Sequence, residues 1–217
     1  MLIKVCGISC DEDLAALSRT GIDFAGFIFV ESSPRYIDGK IDPELCALLS
    51  RSVPSLRKTG VFMDETEENI RENAERYHLD AVQLHGNETP EECARFSGEL
   101  IVLKAFPVNG EESFDETASY EGTCDYFLFD AKGENAGGNG ISFDWTLLRN
   151  YEGSTPFLLG GGIGLGDAEK IYAIDHPMFA GIDINSRFEL YPGKKNIASV
   201  TSFVNAFKNT GYGISRY

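Results

Sequence analysis

The chain has 217 residues, with 19 Lys and Arg against 34 Asp and Glu and a formal net charge of −15. Such a surface repels the phosphate backbone of nucleic acids and anionic membranes, which excludes both as expected partners and leaves any anionic ligand to be held by local chemistry. A hydrophobic fraction of 42%, with 15 Phe, 9 Tyr and 1 Trp, belongs to a folded chain and not to an acidic disordered one, and the length favours one domain over residues 1–217.

The first apolar run, Leu2 to Cys6, is interrupted by Lys4 and followed at once by Gly7. It has no signal-peptide core, so a cytoplasmic location is expected. Further runs rich in Val, Ile, Leu and Phe follow: Phe24 to Val30, Lys58 to Met63, Ala81 to His85, Ile101 to Phe106, Tyr126 to Asp130, Pro156 to Leu159 and Phe179 to Ile184. The longest falls far short of the roughly 20 residues of a membrane span. Helix starts lie between them. Ser9 with Glu12, Thr89-Pro90 with Glu92, and Asn109 with Glu112 set a cap residue three positions before a Glu; Asp42-Pro43 sets a cap before a first-turn proline; another helical segment opens near Asp167.

Eight near-continuous apolar strands, each with room for a crossover helix, predict strands buried on both faces. The predicted fold is a single α/β (β/α)8 TIM barrel, with an open doubly wound sheet as the alternative. The acidic runs Asp11 to Asp13, Asp64 to Glu68 and Glu111-Glu112 fall at helix starts and read as solvated faces. Cys6, Cys10, Cys46, Cys93 and Cys124 are odd in number and lack CxxC spacing, so reduced thiols are expected, with neither a disulfide framework nor a zinc site.

In a barrel of this kind, chemistry sits where strands end and their following loops begin. Residues two apart on a strand share a face, so Lys4 and Cys6 point together. The barrel interior suits the lysine better than the helix shell, and this places a thiol at the mouth. That thiol is either a small buried hydrophobe or a base. Asp130 ends an apolar strand and is either a loop cap or an acid of raised pKa. A thiolate and a carboxylic acid across one mouth would form a proton-transfer pair, suggesting isomerisation. The run Gly160-Gly161-Gly162, with Asn185 and Ser186 after the next strand, matches the usual phosphate site of this fold, after strands 7 and 8; its alternative is a flexible turn. Arg35, in Ser32-Ser33-Pro34-Arg35-Tyr36, is a candidate carboxylate clamp or a solvated cation. Gln83 and His85 close strand 4, with His85 a candidate hydrogen-bonding group of the mouth, and Asp183 lies on the strand that adjoins Lys4 in a closed barrel and is its expected ion-pair partner. His78 and His176 read as loop histidines.

These residues resemble the phosphoribosylanthranilate isomerase family. The resemblance is carried by Lys4-Val5-Cys6-Gly7-Ile8, Gly26-Phe27-Ile28-Phe29, Ser33-Pro34-Arg35-Tyr36-Ile37, Gly60-Val61-Phe62, Val82-Gln83-Leu84-His85-Gly86 and Phe129-Asp130-Ala131. Gly137-Gly138, Phe143-Asp144-Trp145, the Gly160 to Gly162 turn, Gly181-Ile182-Asp183, Ser186, Glu189, Pro192-Gly193 and Lys195 extend it to the C-terminal part. It implies an Amadori rearrangement of N-(5-phosphoribosyl)anthranilate in tryptophan synthesis, with a small-molecule phosphosugar as the partner, no metal or organic cofactor, and a monomer or homodimer. By that resemblance Asp130 is the acid at the ring oxygen, Cys6 the base at C2, Arg35 the carboxylate clamp, and Gly161, Gly162 and Ser186 the phosphate site; Gln83, His85, Asp183 and Asn185 complete the substrate site. The chain departs from the family in carrying Arg187 where small residues are usual. The loop from Gly133 to Ile141 reads as a candidate lid. A histidine-pathway isomerase and a non-catalytic phosphate-ligand binder are the other readings; the first uses aspartate where Cys6 stands.

Overall fold

The computed structural model describes residues 1–37, 39–131 and 143–209. Eight strands, β1 (Leu2–Val5), β2 (Phe24–Ile28), β3 (Arg57–Phe62), β4 (Ala81–Leu84), β5 (Ile101–Val108), β6 (Tyr126–Ala131), β7 (Phe157–Leu159) and β8 (Phe179–Ile184), pair in sequence order and close into a barrel. All neighbours are parallel, and β1 seals the ring against β8 with Lys4 opposite Asp183. The described residues form six α-helices: α1 (Asp11–Leu17), α2 (Pro43–Ser52), α3 (Glu67–Arg76), α4 (Pro90–Ala94), α5 (Ala168–Tyr172) and α6 (Ile197–Asn209). A hairpin of β9 (Glu189–Tyr191) and β10 (Lys194–Lys195) stands outside the barrel sheet. No described helix is long and apolar enough to cross a membrane.

Both faces of each strand are used, which explains the unbroken apolar runs. Phe127 and Phe129 point outward into the large core beneath the helices, together with Phe106, Tyr151 and Phe157. Leu128 points inward with Phe24, Ala81, Leu103, Ala105 and Leu158 to fill the barrel. Gly181 is required by that closure: a Cβ there would stand 2.2 Å from the Leu2 carbonyl oxygen.

Two of the expected helix starts form as read. Thr89 and Glu92 make a reciprocal capping box, and Asp42 accepts from the Glu44 N–H ahead of Pro43. The start near Asp167 also forms, with α5 opening at Ala168, and the two remaining starts differ. The Ser9 hydroxyl donates to the Gly193 carbonyl, and α1 starts after Cys10 without a side-chain cap. Ser113, not Glu112, caps the segment after β5, accepting from the N–H groups of Asn109 and Gly110.

That segment, Glu111–Tyr120, is a 3-10 helix, as is Trp145–Asn150 after β6; an α-helix is therefore not the connection in every crossover. In the former, Thr117 donates to the Phe114 carbonyl and Ser119 to that of Glu116. Such local side-chain bonds three residues back compete with the regular α-helical pattern.

Asp13 corrects the reading of its run as solvated. Its carboxylate is buried, pairs with Lys194 at 2.7 Å and accepts the Lys195 N–H at 2.7 Å. The hairpin returns over α1 and covers it. His176 is likewise no simple loop residue: its ring packs against Tyr151 and Phe157, and its Nδ1 accepts from the Met178 N–H.

Candidate active site

Strand alternation turns Lys4 and Cys6 into the barrel. Cys6 follows β1 directly, its N–H donating to the Ile184 carbonyl at 2.9 Å, and its thiol is buried with Ile28 and Val61. Gly26 on β2 makes the room, since a Cβ there would stand 3.0 Å from Sγ. Lys4 is fully buried and its Nζ lies 2.9 Å from Asp183 Oδ2. Burial opposes its charge, but Asp183 and Cys6 offset that and hold its pKa above the ordinary lysine value. Burial pushes the Cys6 thiol up, while Lys4 and Lys195 pull it down, with a net rise. The resting group is a thiol.

Asp130 projects inward from β6, on the far side of the ring from β1. Burial, with the charge of Asp183 adding to it, pushes its carboxyl up to about 6. Its Oδ1 accepts from the Ala131 N–H at 2.8 Å, and Oδ2 lies 3.8 Å from His85 Nε2. Gln83 Nε2 sits 2.7 Å from His85 Nδ1. With the amide donating, Nδ1 accepts and the ring proton resides on Nε2, facing Asp130; with the amide oxygen turned to the ring, the proton resides on Nδ1. Burial, with Lys4 and Lys104 adding to it, lowers His85 to about 4 and keeps the ring neutral.

The glycine run follows β7. Gly161 and Gly162 have φ of +81° and +63°, and a Cβ on Gly161 would meet the Ala131 nitrogen at 2.6 Å and Asp130 Oδ1 at 2.9 Å. Only glycine fits this turn without strain. Arg187 lies against Gly164, just after that turn, with its Cδ 3.2 Å from where a Gly164 Cβ would be. The departure from small residues thus brings a cation beside Asp167. The candidate lid from Gly133 to Ile141 and the Gly137-Gly138 match lie outside the described residues.

Arg35 is buried, and Glu189 grips it: Nη2 reaches Oε2 at 2.7 Å and Nε reaches Oε1 at 2.9 Å. Glu189 Oε1 also accepts from Lys195 Nζ at 2.8 Å, and the same ammonium donates to Asn185 Oδ1 at 2.8 Å. The Asn185 side chain is therefore directed at the hairpin and Gly7, while Ser186 opens the short turn Ser186–Phe188 after β8. Glu189 and Lys195 were not singled out from the sequence as site residues. The available signal was the Pro192-Gly193 pair, which marks a hairpin, but what the hairpin packs against is not written locally.

The mouth thus brings together a buried thiol, a carboxyl of raised pKa across from it, a glycine turn and a guanidinium. The family model described as N-(5'phosphoribosyl)anthranilate (PRA) isomerase matches residues 3–206. The chain belongs to that family. N-(5'-phosphoribosyl)anthranilate isomerase of Parabacteroides distasonis is 44% identical, the match covering 94% of this chain and 92% of that protein. The Phocaeicola vulgatus enzyme is 40% identical, with 96% and 98% covered. Among solved structures, phosphoribosyl anthranilate isomerase of Thermotoga maritima superposes with a TM-score of 0.80 at 31% identity, over 96% of this chain and 98% of that one. A phosphoribosyl anthranilate isomerase in complex with reduced 1-(o-carboxyphenylamino)-1-deoxyribulose 5-phosphate superposes at 0.77 with 29% identity, with 96% and 98% covered.

Membership in the phosphoribosylanthranilate isomerase family fixes the activity: the enzyme isomerises N-(5'-phosphoribosyl)anthranilate to 1-(2-carboxyphenylamino)-1-deoxyribulose 5-phosphate in tryptophan biosynthesis. This favours the anthranilate reading over the histidine-pathway one and over a mere binder, and makes the ligand a small phosphosugar.

Proposed function

We propose that Asp130 and Cys6 are the acid and base of this isomerisation. Asp130 gives its proton to the furanose ring oxygen, the C1–O bond breaks, and the nitrogen lone pair forms the Schiff base. Cys6, as thiolate, then removes the C2 proton; the electron pair moves toward nitrogen, and the enolamine tautomerises to the ketone. One proton is given and one taken, so the reaction is redox-neutral within the substrate.

The observation that carries this reading is the placement of two inward groups on opposite sides of one mouth, with the acid tuned to about 6 by burial and Asp183. A pKa near working pH suits proton transfer.

The N–H groups of the Gly161-Gly162 turn and of Ser186 take the phosphate, supported by the left-handed glycines. Arg35 takes the anthranilate carboxylate along the edge carrying Nη1, since Nε and Nη2 are committed to Glu189. Asp183 Oδ1 is buried without a hydrogen-bond partner among the described residues, which suits it to accept from a sugar hydroxyl. Gln83, through His85, and Asn185, through Lys195, shape the same mouth. The free thiols support a reducing, cytoplasmic setting for a single barrel working as a monomer or homodimer.

The test is the decay of anthranilate fluorescence on turnover of phosphoribosylanthranilate, run with Cys6→Ser and Asp130→Asn. Near-normal turnover in either variant removes that residue from its role.

A further inference from the structure

A thiol raised by burial makes a poor resting base, so charge near Cys6 must favour its ionised form. The groups facing it are few. Lys4 from β1 draws the thiol toward its ionised form most strongly, Asp183 from β8 opposes that, and Ile28 and Val61 from β2 and β3 are apolar. Lys195 is the second cation that favours the ionised form, and it stands in a cluster with Glu189 and Arg35.

These three form one buried cluster. Glu189 holds Arg35 by Nε and Nη2 and holds Lys195 at 2.8 Å. Two cations share one carboxylate, which leaves one net positive charge in a chain of net charge −15. Burial brings Lys195 below the ordinary lysine value, and Glu189 offsets part of that; its two acceptors, Glu189 and Asn185, are those an ammonium satisfies. The cluster also touches the residue after the base. Gly7, with φ +71°, has Arg35 Cδ at 2.7 Å and Asn185 Oδ1 at 2.8 Å from where its Cβ would be, and that Asn185 oxygen is the one Lys195 binds.

We propose that Lys195 and Glu189 are positioning residues for Cys6: the hairpin that carries them sets a net positive charge near the thiol before substrate binds and thereby favours its thiolate form. Glu189 moderates the charge and Lys195 supplies it. The inference rests on Cys6 being the base, and it gives the two hairpin residues opposite effects on one observable, which a purely structural role would not.

The experiment measures the rate of alkylation of Cys6 by iodoacetamide in the full-length protein between about pH 7 and about pH 11, following the Cys6 peptide by mass spectrometry so that the other four thiols do not interfere. Lys195→Met is expected to move the midpoint up by about one pH unit and Glu189→Gln to move it down by about half a unit or more, with Lys195→Arg restoring the unaltered profile. Shifts in the same direction, or shifts below about 0.3 unit in both, overturn the proposal. Should Lys195→Met not fold, the sign for Glu189→Gln decides: downward supports it, and upward or unmoved overturns it. Alkylation needs no substrate, so an inactive unaltered enzyme would strike at the assignment of Cys6 as base while leaving the charge effect separately readable.

Discussion

Lys4 and Asp183 form an ion pair inside the barrel, Nζ to Oδ2 at 2.9 Å, between the first and last strands of the barrel. The pair closes the ring electrostatically where β1 meets β8, and places a buried cation directly below Cys6. Removing one partner strands the other charge in a medium that solvates it poorly. Lys4→Met should therefore lower the unfolding free energy by roughly 3 to 5 kcal/mol, measured by urea denaturation. A loss below about 1 kcal/mol would discredit the pairing as a stability element.

Cys6→Ser and Asp130→Asn should each reduce kcat by at least roughly a hundredfold with folding intact by circular dichroism. A serine hydroxyl is far less acidic than a thiol, and an amide has no proton to give. An equal fall in kcat and kcat/KM would mark interactions made in the transition state.

Stability should depend on pH through Asp130. Its folded pKa of about 6 lies above the ordinary carboxylate value, so the folded state binds the proton more tightly. The contribution is present below the unfolded pKa and is lost as pH rises through about 6. Asp130→Asn should consequently gain roughly 2 to 3 kcal/mol over the unaltered protein between about pH 4 and about pH 8. A difference independent of pH would show that burial does not perturb this carboxyl.

His85 carries the opposite sign. Its pKa is lowered to about 4, so its contribution is full above the unfolded histidine value and is lost as pH falls through about 4. Following its ring protons by NMR, a neutral histidine at pH 6 is expected, and a midpoint near the ordinary value of about 6.5 would contradict it.

Gly161→Ala should damage both the acid and the turn. The added Cβ meets the Ala131 nitrogen and Asp130 Oδ1 at a φ of +81°, costing at least about 1 kcal/mol. We expect kcat to fall and the affinity for inorganic phosphate, read by calorimetry, to weaken with it. Unchanged phosphate binding would move the anion site away from this turn.

Local chemistry was enough to read the eight strands, because a strand buried on both faces is apolar at most positions, and the alternation that turns Lys4, Cys6 and Asp130 inward is a property of the extended backbone itself. Likewise the Thr89 and Asp42 caps follow from residues three and two positions apart. The 3-10 crossover at Glu111–Tyr120 was missed because hydroxyls three residues along compete with an α-helical turn, and that contest is settled by small energies.

What the sequence alone determined was which groups stand at the mouth. Only the tertiary structure decided who holds them. Arg35 meets Glu189 across 154 positions and Asp13 meets Lys195 across 182, separations at which no spacing rule operates. The perturbed pKa values of Cys6, His85 and Asp130 depend on the same closure. Desolvation is set by what surrounds a group in space, and the chain creates those surroundings only when β8 returns to β1 and the hairpin folds back over α1.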